Sequence, residues 1–298
     1  MLTIFAIPKA FAGHIGVIQR NAVRSWARLR PECQIILCGD DAGTKEVAAE
    51  YGVDWIPEIK RNEFGTPLLN SAFEQAMATA RFDRMCYVNA DIMLLDDFTA
   101  AVGRVTCRKY LVVGQRWDVA LKELFDFDGA DAGGRLREYI ARHGTLHPPS
   151  GSDYFVFPKG MSTEQFPPFA VGRPGWDNWF IYSVRRHGIP VIDATRVTTV
   201  IHQNHDYQHV PNRQGSAWEG PEADRNLELM GGQDRVFTLL DATRILTAWG
   251  LLPAIDWRHL RRRWQVLPVL TPSLGPFVRR VNSCVARFCF WRHQAVSR

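Results

Sequence analysis

The sequence predicts an α/β protein built on a mostly parallel central sheet, and three observations carry that expectation. Short apolar runs at 2–7, 34–38 and 85–88 have the near-continuous hydrophobicity of strands buried on both faces. Stretches of helical period separate them, so strand, helix and strand alternate. The run at 85–88 ends in Asn89-Ala90-Asp91 before resuming as Ile92-Met93-Leu94-Leu95. Asp91 therefore lies at the carboxyl end of a central strand, where open α/β sheets bind their ligands.

The elements follow in order. The first strand gives onto Pro8 and Lys9, then a helix with apolar positions at Ile15, Ile18, Ala22, Trp26 and Leu29. The strand at 34–38 closes on Gly39-Asp40-Asp41, and a helix over 44–51 and a strand over 53–56 follow. A polar segment at 60–67 contains Arg61 and the Gly65-Thr66 turn. Phe73, Ala76, Met77 and Ala80 then recur at helical spacing ahead of the central strand. A strand over 110–114 leads to Gln115-Arg116-Trp117-Asp118. Residues 126–134 are rich in Asp and Gly but lack the spacing and closing Glu of an EF-hand, so a mobile loop near the cleft is expected there.

A helix over 135–142 and a connector over 147–152 precede a strand with Asp153 at its entrance. A loop rich in Pro, Gly and aromatic residues reaches Gly175-Trp176-Asp177-Asn178-Trp179, where Asp177 opens a helix over 178–187. The strand at 197–201 gives onto His202, with His205 and His209 close behind. Residues 221–249 have helical content, including Leu239, Leu240, Ile245 and Leu246, and are expected to pack back on the sheet. The run with Phe277, Val281, Cys284, Val285 and Phe288 on one face reads as an amphipathic basic helix.

Composition bounds the function. The 298 residues are 46% hydrophobic and 22% charged, as in a well-packed globular protein. With no apolar run of spanning length and no leader-like segment, a cytoplasmic protein is expected. Cys33, Cys38, Cys86, Cys107, Cys284 and Cys289 form no Cys-x-x-Cys pair and mostly sit in apolar runs, which fits reduced core residues. The net charge of +5 is segregated. From Trp257 onward there are nine arginines and no acidic residue, while the other 256 residues carry 27 Lys+Arg against 31 Asp+Glu. A basic tail beside a net-negative body suits an anionic membrane surface better than nucleic acid, whose phosphates the body would repel. Neither a dinucleotide-binding Gly-x-Gly-x-x-Gly nor a P-loop is present, which argues against dinucleotide oxidoreductases and P-loop kinases.

The Asn89-Ala90-Asp91 stretch resembles the Asp-x-Asp motif of GT-A-fold glycosyltransferases that use nucleotide sugars, with Asn in the first acidic position. The resemblance covers roughly residues 2–207. It implies a GT-A three-layer sandwich over 1–220, with a nucleotide-sugar-binding half at 1–110 and an acceptor half at 111–220. A helical basic region over 221–298 would follow. In such enzymes the places matched by Pro8, Lys9, Asp40 (or Asp41), Arg61, Gly65, Thr66, Asn89, Ala90 and Asp91 hold the nucleotide sugar. His202, with His205 as rival, matches a third ligand for Mn²⁺ or Mg²⁺ beside Asp91. Gly-aromatic-Asp at a helix start resembles the catalytic-base position of inverting, family-2-like members, so Asp177 would be the base. Family members commonly have Glu-Asp there, and Trp176 replaces the Glu.

The chemistry needs those residue types. An acceptor hydroxyl becomes a competent nucleophile when a carboxylate takes its proton, and a divalent cation neutralises a departing diphosphate. Asp153, Trp176, Asn178 and Trp179 are the candidate contacts to acceptor and sugar, since indole faces suit the apolar faces of sugar rings. The implied partners are a nucleoside-diphosphate sugar and a glycan or lipid-linked glycan acceptor, as in surface polysaccharide synthesis. Two alternatives remain at this stage. A sugar nucleotidyltransferase shares the fold, although the glycine-rich loop by which those enzymes resemble one another is missing. The other is a non-catalytic basic protein that binds membrane or nucleic acid.

Overall fold

A computed structural model of the chain describes residues 1–129, 131–161, 165–205 and 219–284. Its elements in chain order are β1 (Thr3–Ala6), α1 (Gly13–Ala27), β2 (Gln34–Cys38), α2 (Thr44–Tyr51), β3 (Asp54–Ile56), α3 (Leu69–Thr79), β4 (Arg84–Val88), β5 (Ile92–Leu94) and α4 (Asp96–Gly103). Next come β6 (Leu111–Val113), β7 (Trp117–Val119), α5 (Ala132–His143), β8 (Thr145–Leu146), β9 (Tyr154–Pro158), α6 (Trp176–Arg186), β10 (Val191–Asp193) and β11 (Val200–Gln203). α7 (Pro221–Met230), β12 (Arg244–Thr247), β13 (Gly250–Pro253) and α8 (Trp257–Leu270) complete the set. Residues 275–284 are also helical.

Nine strands form one sheet in the order β13-β12-β10-β6-β9-β4-β1-β2-β3. Five of its neighbouring pairs are parallel, and the antiparallel ones involve β9 and β13. Alternation along the strands sends Phe5, Ile36, Met85 and Tyr87 to one face and Ile4, Ile35, Leu37, Cys86 and Val88 to the other. The first face is covered by α3, α6, α7 and α8, the second by α1, α2 and α4. This is the expected three-layer sandwich with a mostly parallel sheet, and its C-terminal helical extension is present as α8 and the helix at 275–284. Phe73 on α3 anchors the first face, its ring 4.4–5.9 Å from those of Phe5, Tyr87, Phe157, Phe166 and Phe180.

A second, four-stranded sheet has the order β5-β11-β7-β8 and packs with α5 around Met93, Val119, Leu136, Ile140 and Ile201. Gly114 makes the passage from the large sheet to the small one: a Cβ there would stand 2.3 Å from the Tyr154 hydroxyl and 3.1 Å from the Thr195 nitrogen.

One sequence expectation is corrected. Leu239, Leu240, Ile245 and Leu246 do not lie on a helix: the first two belong to a 3₁₀ turn, Leu239–Asp241, and the others to β12. β12 and β13 extend the large sheet beside β10, so chain beyond residue 220 is built into it. A single helical turn and a short strand share the same spacing of apolar residues, and here pairing with β10 decides. The acidic residues around the start of α5 make surface pairs. Asp128 pairs with Arg24 and Arg28, Asp126 pairs with Arg135, and Asp131 caps α5 through the Gly134 N–H. In the helix at 275–284 Val278 is buried against the body, while Phe277, on the face expected to be apolar, is 58% exposed. Val285 and Phe288 lie outside the described residues, as do His209 and Cys289.

Candidate metal and catalytic site

Asp91 sits in the turn between β4 and β5, where the chain leaves one sheet for the other. Its backbone is clamped. The buried Gln203 side chain donates to the Asp91 carbonyl (3.0 Å) and the Ile18 carbonyl (2.8 Å), and accepts from Asn21 Nδ2 at 2.9 Å. The Trp26 indole N–H donates to the Ile92 carbonyl at 2.8 Å. An apolar strand exit thus gains a fixed geometry from polar groups on α1 and β11.

β11 runs antiparallel to β5 and parallel to β7, so Ile92, His202 and Asp118 stand in one row across the small sheet. This register brings together the predicted metal set. His205 Nε2 lies 3.0 Å from Asp91 Oδ2, and His202 Nε2 lies 3.7 Å from the same oxygen. One ligand atom from each of Asp91, His202 and His205 falls within a 4.8 Å span. Both histidines stand beside the carboxylate. Burial opposes ionisation of Asp91, but the His205 hydrogen bond and the fields of His202, His205 and Lys9 hold its pKa down at about 2. Its second oxygen, Oδ1, is buried with no hydrogen-bond partner. An anionic oxygen with an open lone pair beside two imidazole nitrogens fits a divalent cation.

Asp153 reaches the same edge because β9 is reversed. In an antiparallel strand the entrance lies beside the exit of its parallel neighbour, and the register pairs Val88 with Tyr154. The Asn89 N–H donates to the Asp153 carbonyl at 2.9 Å, and Asn89 Nδ2 donates to Asp153 Oδ1 at 2.8 Å. Arg116 pairs with the other oxygen of Asp153 and with Asp118. Asn89, the departure from an acidic pair, thus bonds Asp153. Ala90 is buried.

Asp177 is the second residue of α6, not its cap. The N-cap is Gly175, at φ 99°, a conformation that favours glycine. Burial pushes the Asp177 carboxyl up to about 6, with Asp153 adding to the rise, while the N–H groups of Asn178 and Asp177 and the charge of Arg116 oppose it. A carboxyl poised there exchanges protons near neutral pH.

Trp176 and Trp179 require correction. They are 5% and 2% exposed, and their rings pack on Tyr87 and Phe155, and on Phe166 and Phe169, respectively. They are core residues of the first face, with no indole face open for a sugar ring. Asn178 Nδ2 donates to the Phe237 carbonyl at 2.8 Å and so ties α6 to the C-terminal region.

On the donor side Arg61 donates to Asp40 (2.6 Å), Asp41 (2.7 Å) and the Gly65 carbonyl (2.8 Å). The predicted residues are gathered, but the two carboxylates already occupy the arginine, and its hydrogen bond holds Asp40 below its ordinary pKa. Thr66 receives its position from Asn62, whose Oδ1 accepts the Thr66 N–H at 2.9 Å, and Asn62 in turn bonds Glu222 of α7. Lys9 is exposed at the end of β1, with its backbone held on both sides by Gln19, and Pro8 is buried. Arg61, Asn62, Phe64 and Glu222 line an open groove of about 820 Å³.

Sequence reasoning missed Asp118, Arg116, Gln203 and His147. Asp118 carries a signal in retrospect: Arg116 and Asp118 alternate with apolar Trp117 and Val119, which puts two opposite charges on one face of a strand.

No protein-family model matches the chain, and no curated protein matches it. Among solved structures it is similar to GalNAc-T7 with UDP, GalNAc and Mn²⁺, at 15% identity over 77% of this chain and 48% of that one, with a TM-score of 0.50. It is also similar to residues 1–349 of S. aureus TarS in complex with UDP-GlcNAc (10% identity, 92% of this chain and 73% of that one, TM-score 0.49). A third is glucosyl-3-phosphoglycerate synthase from Mycobacterium tuberculosis with Mg²⁺ and uridine diphosphate (15%, 69% and 72%, TM-score 0.39). At such identities the likeness is one of fold, and with the strand order and helix layers above it gives this chain a GT-A-like architecture carrying a candidate Asp/His metal-ligand cluster.

Proposed function

We propose that the chain is an inverting, metal-dependent glycosyltransferase that moves a sugar from a nucleoside-diphosphate sugar to a hydroxyl of a glycan or glycolipid acceptor. The observation that carries this reading is the meeting of Asp91, His202 and His205 at the ligand-binding edge of a GT-A-like sheet. GalNAc-T7, a structure of similar fold, holds UDP with Mn²⁺, which supports the same donor class here. Two imidazoles among three ligands favour Mn²⁺ over Mg²⁺, which prefers oxygen donors. Such an ion, when bound, neutralises charge growing on the diphosphate.

The chain's own residues supply the rest. Asp177 accepts the acceptor's hydroxyl proton as that oxygen forms a bond to the anomeric carbon, and the sugar–diphosphate bond breaks with its electron pair leaving on the diphosphate. One base and one displacement invert the anomeric centre. Arg61, with Asp40, Asp41 and the Gly65-Thr66 turn, borders the nucleotide, and Lys9 and Pro8 flank it from β1. Asp153, fixed by Asn89 and Arg116, lies near enough to influence Asp177 and borders the acceptor.

Replacement Asp177→Asn tests the assignment: transfer from a nucleotide sugar is expected to fall by about 10²–10⁴-fold with donor binding retained in calorimetry. Full activity in that variant removes Asp177 from the role.

A lipid-linked acceptor at an anionic membrane surface fits the C-terminal region. Among the described residues no helix is long and apolar enough to cross a membrane. Trp249, Trp257 and Phe277 are 91%, 75% and 58% exposed, and Arg258, Arg261, Arg279 and Arg280 are exposed nearby in sequence. The full chain is expected to sediment with anionic but not neutral liposomes, and a chain ending at Asp256 to bind less. Equal sedimentation of the two chains ends the membrane reading.

A further inference from the structure

We infer that Asp118 is a positioning residue that fixes the tautomer and orientation of His202, so that Nε2 is presented to a divalent cation. This rests on the reading of Asp91, His202 and His205 as a metal site.

The small sheet makes the arrangement. β7 and β11 are parallel neighbours with Asp118 directly opposite His202, so the two side chains leave the same face of adjacent strands. Asp118 Oδ1 stands 3.1 Å from His202 Nδ1, the nitrogen turned away from Asp91. The contact is close in distance but not aligned as a hydrogen bond, and Nδ1 is buried with no other partner. With its proton on Nδ1, facing Asp118, the ring keeps the Nε2 lone pair toward Asp91.

Asp118 is itself held on two further sides. His147 Nδ1 lies 2.7 Å from Oδ2, and Arg116 Nε donates to Oδ1 at 2.9 Å. Arg116 continues to Asp153, and Asp153 to Asn89, so a chain of charge-assisted bonds runs to the turn that carries Asp91. Its side chain is 22% exposed, sheltered from competing water. A carboxylate on a solvated surface strand has no need of three such partners. One that orients an imidazole does, because any freedom in the carboxylate passes to the ring it orients.

The test measures Mn²⁺ affinity of the full chain by calorimetry or electron paramagnetic resonance, without nucleotide or acceptor. Asp118→Asn is expected to weaken Mn²⁺ binding by about 10- to 100-fold. The loss should vanish on a His202→Ala background and persist on a His205→Ala background. Should Asp118→Asn fail to fold, Asp118→Glu shifts the carboxylate by one methylene, and its loss should show the same dependence on His202. Unchanged affinity in a folded Asp118 variant overturns the inference, as does a loss that is equal with and without His202. Absence of Mn²⁺ binding by the unaltered chain overturns the metal reading and this inference with it.

Discussion

The two sheets divide the labour. The nine-stranded sheet is made of apolar strands with both faces covered, and its side chains interdigitate with helices on each side. The four-stranded sheet has strands of two to four residues and a thin apolar layer against α5. Yet His202 and Asp118 lie on the small sheet, and Asp91 and His205 flank its strands. A large sheet supplies burial and so stability, whereas a small one, freed from filling a core, can devote side chains to a polar cluster. Rigidity at the site then comes from hydrogen bonds through Gln203 and Asn21 rather than from packing.

The contrast can be broken from either side. Phe73→Ala removes the ring shared by five aromatic neighbours and should destabilise the fold by about 3–5 kcal/mol, read as a lower urea midpoint, with Mn²⁺ affinity of the folded fraction unchanged. A parallel loss of metal affinity would mean that the sheets are not separable.

Asp177→Asn should do the reverse, acting on chemistry while raising stability. Its carboxyl is pushed from the ordinary 3.8 to about 6, so the native state resists the charge that the unfolded chain accepts. The stability it contributes is present below pH 3.8 and is lost as pH rises through about 6. At pH 8 the variant is therefore expected to exceed the parent by at most about 3 kcal/mol, and at pH 3 to equal it. Transfer by the parent should rise with pH through the same window. A flat pH–rate profile between 5 and 7 would separate Asp177 from proton transfer.

Gln203→Leu probes the bridge between the two regions. It keeps bulk but strips the clamp on the Asp91 carbonyl, leaving Asn21 Nδ2 with only its Glu123 carbonyl bond. A loss of about 1–3 kcal/mol in unfolding free energy is expected, together with weaker Mn²⁺ binding. If stability falls while metal affinity holds, the clamp serves the fold alone.

What was legible follows the same division. β1, β2 and β4 announce themselves through four or five consecutive apolar residues, and α2 has its expected bounds. Asp91, Asp177, His202 and His205 were singled out through the GT-A resemblance, and the structure brings Asp91, His202 and His205 together. Asp118 was not, because a lone carboxylate on a three-residue strand reads as surface, and its partner His202 lies 84 positions away. Trp176 and Trp179 were misplaced for another reason: an indole that stacks on sugar and one that packs in a core carry the same sequence signature. Ile245 and Leu246 failed because a short strand and a helical turn look alike until neighbouring strands are present.

The reversal of β9 has a practical side. With Asp153 at the cleft, the strand's other end emerges on the opposite side of the sheet, where Lys159 and Gly160 are exposed and the Lys159 N–H meets the Asp83 carbonyl at 2.7 Å. Gly160 has a φ of 74°, which favours glycine, so Lys159 is the position open to change. A dye, affinity handle or surface tether placed at this turn would leave the cleft facing solution, which makes it the natural attachment point for immobilising the protein while its ligands are screened.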